Sequence, residues 1–96
     1  MLKNFSYQNI EFRQNESGVS LEVRGEVTNK SGRSYHSVVF RVMLFIKSTQ
    51  IGSENLTING FLNGQTRTFS KSFNELEYAR VGKDISHYEI YPESGY

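Results

Sequence analysis

Between Val19 and Asn29 the chain alternates sides: Val19, Leu21, Val23 and Val27 on one, Ser20, Glu22, Arg24, Glu26 and Thr28 on the other. Successive Cβ atoms of extended backbone point to opposite faces, so this period of two predicts a half-buried antiparallel strand. Polar clusters ending in glycine bracket it, Asn15-Glu16-Ser17-Gly18 before and Asn29-Lys30-Ser31-Gly32 after, as hairpin turns with a positive φ require. Gly25 interrupts the apolar side and predicts a bulge or the close approach of another segment. From Tyr35 to Lys47, Val38, Phe40, Val42, Leu44 and Ile46 form a wholly apolar side, while Val39, Arg41, Met43, Phe45 and Lys47 form a mixed one. The β-branched residues of this run disfavour a helix. It reads as a central strand whose outer face is partly covered.

The flanking segments are weaker repeats of the same pattern. Phe5 and Tyr7 share one parity and Ile10 and Phe12 the other, which predicts a bulge near Gln8 and Asn9. Ile51 to Ile58 reads as a short polar edge strand, followed by turn signals at Asn59-Gly60 and Asn63-Gly64 around Phe61 and Leu62. Arg67 to Phe73 is strand-like, with Phe69 as core anchor and Lys71 lying along the surface. Asn74 to Gly82 carries the one helical signal: Asn74 as cap, Glu77 completing a capping box, Gly82 closing the end. Ile85 to Tyr91 alternates again; Pro92 is expected to stop its ladder and leave 92–96 as a loose tail. Six to seven strands at hairpin spacing, without a βαβ rhythm, predict an all-β antiparallel sandwich with one short helical crossover.

Composition narrows the function classes. Ninety-six residues suit a single domain spanning 1–96, and the lack of cysteine removes disulfides, thiolate metal sites and thiol nucleophiles. Eleven Lys and Arg against ten Asp and Glu give a net charge of +1, scattered along the chain. No nucleic-acid footprint is expected, with Lys30, Arg33 and Arg67 as a minor basic patch. No run approaches the roughly 20 apolar residues of a membrane-spanning helix, and residues 1–7 lack the apolar region of a signal peptide. Asn-x-Ser/Thr triplets occur at Asn4, Asn15, Asn29 and Asn55.

At Gly25-Glu26-Val27-Thr28-Asn29 the sequence shows a Gly-x-Val-x-Asn pattern followed by a polar turn and a long apolar strand, and it resembles the FxLYD family of bacterial domains. The family's Phe-x-Leu-Tyr-Asp stretch corresponds to Val42-Met43-Leu44-Phe45-Ile46, where Leu44 is kept and Val42, Phe45 and Ile46 replace Phe, Tyr and Asp. Asn63-Gly64-Gln65 matches the family turn with Asn in place of Pro, and Phe69 stands at the following Phe position. The resemblance covers roughly residues 19 to 91. It implies an immunoglobulin-like β-sandwich, an accessory module of an envelope-associated, extracytoplasmic or membrane-anchored bacterial protein, and no catalytic residues. Asn29 is expected to shape the turn after its strand, since Asn tolerates left-handed backbone and bonds its own neighbours.

Candidate chemistry is sparse. His36 and His87 lack partners at a spacing that guarantees a metal site, no Gly-x-Ser-x-Gly occurs, and Glu75 and Glu77 beside Arg80 suit capping of a short helix. The expectation is no enzyme, no metal and no cofactor. Tyrosine supplies contact area at low entropy cost, so Tyr35, Tyr88 and Tyr91, with Asn55, are the candidate partner-binding residues. The leading reading is a non-catalytic interaction or spacer module that binds a protein through a strand edge or aromatic face. An alternative is a proteinase-inhibitor-like domain using an exposed loop, Ser48 to Glu54 or Asn59 to Gly64; a small glycan-binding module is third. Dimerisation follows if the Ile51 to Ile58 edge is long and flat.

Overall fold

The computed structural model describes residues 4–96; residues 1–3, part of the stretch read for a signal peptide, lie outside the described residues. Six strands, β1 (Phe5–Gln14), β2 (Ser20–Asn29), β3 (Tyr35–Ile46), β4 (Thr49–Phe61), β5 (Thr66–Glu77) and β6 (His87–Gly95), are joined by one turn of helix, α1 (Tyr78–Val81), before β6. They pair antiparallel into two three-stranded sheets, β1-β2-β5 and β4-β3-β6. The fold is an all-β sandwich with β2 and β3 at the two centres. Leu21, Val23 and Val27 of β2 and Val38, Phe40, Val42 and Leu44 of β3 are buried in one core cluster with Ile58, Phe61, Phe69 and Phe73. Rings bridge the sheets: Phe5 meets Phe40 edge-on at 5.3 Å, and Tyr7 meets it at 6.1 Å. Each such fully buried side chain contributes about 1.5–3 kcal/mol over exposure, and nothing covalent supplements them.

The expected bulge in β1 is present. Gln8 pairs with Glu26 and Glu11 with Arg24, leaving one extra residue, and Asn9 turns left-handed with φ 56°. The parity switch lets Phe5, Tyr7, Ile10 and Phe12 all pack on the core. Gly25 lies opposite the bulge. A Cβ there would collide with Ile10 Cδ1 and approach Phe69 Cζ to 3.1 Å, so the missing side chain is the space these two fill.

Asn29 is fully buried and joins two loops. Its Nδ2 donates to the Arg33 and Phe61 carbonyls at 2.9 and 3.3 Å, and its Oδ1 accepts from the Ser31 N–H and hydroxyl at 3.0 and 2.6 Å. Its backbone N–H donates to Gln65 O, and its carbonyl accepts from Gly64 N at 2.8 Å, where Gly64 takes φ 82°. The turn after β2 is therefore locked to the turn after β4.

Four expectations are corrected. Val19 precedes the strand and is exposed rather than on the core side. β4 is 13 residues long rather than short, and Asn59-Gly60 does not turn the chain: Gly60 takes φ 64° within the strand, and Phe61 stays paired with Tyr35 and buried. Asn74 caps no helix. β5 runs through Glu77, because Phe73 is buried and Leu76 packs on the core beside Gly52, an apolar gain that a one-turn helix cannot match. Finally, Pro92 to Gly95 is no tail. Pro92 pairs with Phe40 and Ser94 with Val39 across a bulge, and Tyr96 N donates to Ser37 O. Proline is tolerated because β6 is an edge strand.

Two predictions follow from this packing. Asn29→Ala removes the partners of the Ser31 N–H and of the Phe61 carbonyl, while Arg33 O keeps the Ser31 hydroxyl, and urea unfolding should show a loss of about 2–4 kcal/mol. A loss below about 0.5 kcal/mol would show that the loops are not tied through this amide. Tyr7 Oη is buried with no partner among the described residues, and burial pushes its pKa from 10.0 up to about 12. The unfolded chain releases this proton first, so stability falls as pH rises from about 10 to about 12. Tyr7→Phe should remove that part of the alkaline loss and raise stability near pH 7 by about 1 kcal/mol, measured by denaturation across pH.

Candidate functional site

The outer face of the β4-β3-β6 sheet collects the side chains that the core does not use. Val39, Arg41, Met43 and Phe45 of β3 point outward by alternation and are only half-buried. Register places Asn55 of β4 and Tyr91 of β6 on either side of Arg41, and Ser53 and Glu89 on either side of Met43. Adjacent strands lie about 4.8 Å apart, so Tyr91, Arg41 and Asn55 form a row roughly 10 Å wide. The guanidinium is held from both flanks: Nε and Nη2 donate to Glu93 at 3.1 and 3.5 Å, and Nη1 donates to Ser53 Oγ at 3.1 Å. Glu93 is the extra residue of the β6 bulge. Further along, Phe45 packs on His87 at 5.3 Å, and His87 Nε2 lies 3.2 Å from Glu89 Oε2. The result is a fixed cation in an apolar strip of Val39, Met43 and Phe45, with the Tyr91 ring 41% exposed beside it.

Of the four residues proposed from sequence, the structure brings Tyr91 and Asn55 together through Arg41 and separates the other two. Tyr88 pairs with Leu44 on the inner side, its ring edge-on to Phe12 at 5.8 Å. Tyr35 is 7% exposed and is not a surface residue. The left-handed Gly60 reverses the parity of the β3-β4 pair, bringing Tyr35 and Phe61 to the core side, where Phe5 packs at 6.2 Å and Arg33 stacks at 4.8 Å. Gly25, Val27, Asn29, Leu44, Gly64 and Phe69 all serve the core or its turns, whereas Phe45 lies on the outer strip. Arg41 and Met43 were not singled out as site residues. Their signal was the mixed parity of β3, readable only once register supplies their neighbours.

The opposite sheet offers a shallow depression of about 340 Å³ over the β1 bulge, lined by Asn9, Glu11, Arg24, Glu26, Thr68 and Ser70. Two of its polar groups are already engaged, Asn9 Nδ2 with Glu26 at 2.8 Å and Arg24 with Glu22 at 3.4 Å. Both segments proposed as inhibitory loops lie mainly in β4: Thr49 to Glu54 and Asn59 to Phe61 are strand, and Asn63 is tied back to Gly32 N and Ser34 Oγ. Comparison of the chain with known protein families, curated proteins and solved structures finds no match.

Proposed function

We propose that this chain is a non-catalytic interaction module whose outer β4-β3-β6 face binds a protein partner. The observation that carries the reading is the row of Tyr91, Arg41 and Asn55 set in the half-exposed strip of Val39, Met43 and Phe45. Aromatic residues, Met and Arg are the side chains that interfaces concentrate, and an Arg already held by Glu93 and Ser53 loses little freedom on binding. The partial FxLYD motif suits an immunoglobulin-like accessory module of an envelope protein, with Gly25, Asn29, Gly64 and Phe69 in scaffold roles.

The test is photo-crosslinking from single positions in the native setting. A crosslinker at Tyr91 or Asn55 should trap one discrete protein, and the same group at Thr68 or Ser70 on the other sheet should not. Met43→Asp should abolish that adduct. Arg41→Met should weaken it at least tenfold while changing stability by less than about 1 kcal/mol, because the Arg41 to Glu93 ion pair is partly solvated. Equal trapping from both sheets, or none from Tyr91 and Asn55, would overturn the reading.

A further inference from the structure

Although basic residues are scattered along the chain, two stretches lack acidic ones, and the fold brings basic side chains of both to one end. No Asp or Glu occurs between Val27 and Ser53 or between Asn55 and Asn74, whereas Lys30, Arg33 and Arg67 all fall in these stretches. The first two sit in the turn between β2 and β3. Asn63 binds that turn to the one between β4 and β5, accepting from Gly32 N at 3.2 Å and donating to Ser34 Oγ at 2.9 Å. Arg67 reaches the same end, donating to the carbonyls of Asn59 and Gly60 at 3.0 and 3.3 Å. Arg33 is oriented by stacking on Tyr35 at 4.8 Å.

Two of the most exposed apolar side chains share this end. Leu62, 56% exposed, tips the β4-β5 turn, and Tyr96, 72% exposed, is fixed beside β3 by hydrogen bonds with His36 N and Ser37 O. Of the acids on the adjoining strand segments, Glu26 is hydrogen-bonded to Asn9 and Glu93 is paired with Arg41. Basic side chains on the same end as an exposed leucine and tyrosine, among Ser, Asn and Gly turn residues, match a headgroup layer in both charge and polarity.

We propose that this loop end docks peripherally on an anionic lipid surface, with Lys30, Arg33 and Arg67 facing headgroup phosphates and Leu62 and Tyr96 entering the interfacial layer. An apolar tip has no function in attraction to a soluble polyanion, so Leu62 separates the lipid from other acidic partners. Docking of this kind leaves the β4-β3-β6 face clear for a protein and is independent of that reading.

Sedimentation of the full chain with phosphatidylcholine vesicles containing about 30 mol% phosphatidylglycerol, against pure phosphatidylcholine, tests this. Binding is expected only to the anionic vesicles and should vanish in about 0.5 M salt. Lys30→Gln and Arg33→Gln should each weaken it about fivefold, and together about 25-fold. Leu62→Ser should weaken it about three- to tenfold. Lys30 and Leu62 are exposed, so Lys30→Gln and Leu62→Ser keep the fold, as circular dichroism will show. Met43→Asp should leave vesicle binding unchanged. Absence of binding at low salt, or binding indifferent to Lys30→Gln and Arg33→Gln, would overturn the proposal. So would equal competition by polyglutamate together with indifference to Leu62→Ser, which would identify an acidic protein partner instead.

Discussion

The buried amide of Asn29 is the constraint on which the two-sheet arrangement depends. Both donors and both acceptor positions of its side chain are used, and its backbone pairs with Gly64 and Gln65. Through Phe61 O it reaches from the β1-β2-β5 sheet into β4 of the other. A hydrogen bond contributes only about 1 kcal/mol net, yet an unpaired buried group costs about 1–3 kcal/mol. The turn after β2 therefore cannot shift without stranding several groups at once. Fixing it sets where β3 begins, and β3 sets the register of β4 and β6.

The proposed binding face and the core are two sides of that one strand. Val38, Phe40, Val42 and Leu44 hold β3 against the opposite sheet, so Val39, Arg41, Met43 and Phe45 are presented on a backbone with little freedom to move. The bulge in β6 supplies the other half of the device by freeing Glu93 to meet Arg41. At one end of the molecule the same turns that Asn29 locks carry Lys30, Arg33 and Leu62. Rigidity made for stability thus also orders two separate surfaces.

Period-two alternation made β2 and β3 legible, and the parity switch located the β1 bulge. The Gly25 gap was legible because only glycine meets it; Asn29 was legible as a turn residue, but its backbone is not left-handed and its tie to Phe61 O of β4 is a tertiary contact that residue type does not reveal. Misread features were those where local chemistry permits two outcomes and tertiary contacts choose. Asn59-Gly60 can turn a chain or kink a strand; pairing of Phe61 with Tyr35 chose the kink and buried Tyr35. Asn74 can cap, but Phe73 and Leu76 gain more from extension. Pro92 ends a central ladder and is harmless on an edge. Of the candidate site, Tyr91 and Asn55 were accessible from residue type alone, whereas Arg41 between them is a fact of cross-strand register.

Native-state hydrogen exchange at the amides of Ser31, Gly64 and Asn29, compared with those of Val38, Val42 and Leu44 in β3, measures the central constraint directly. If the Asn29 amide welds the two turns to the core, all six exchange only through global unfolding and report the same free energy. Exchange at Ser31, Gly64 and Asn29 that is orders of magnitude faster, through local opening while β3 remains protected, would contradict the account.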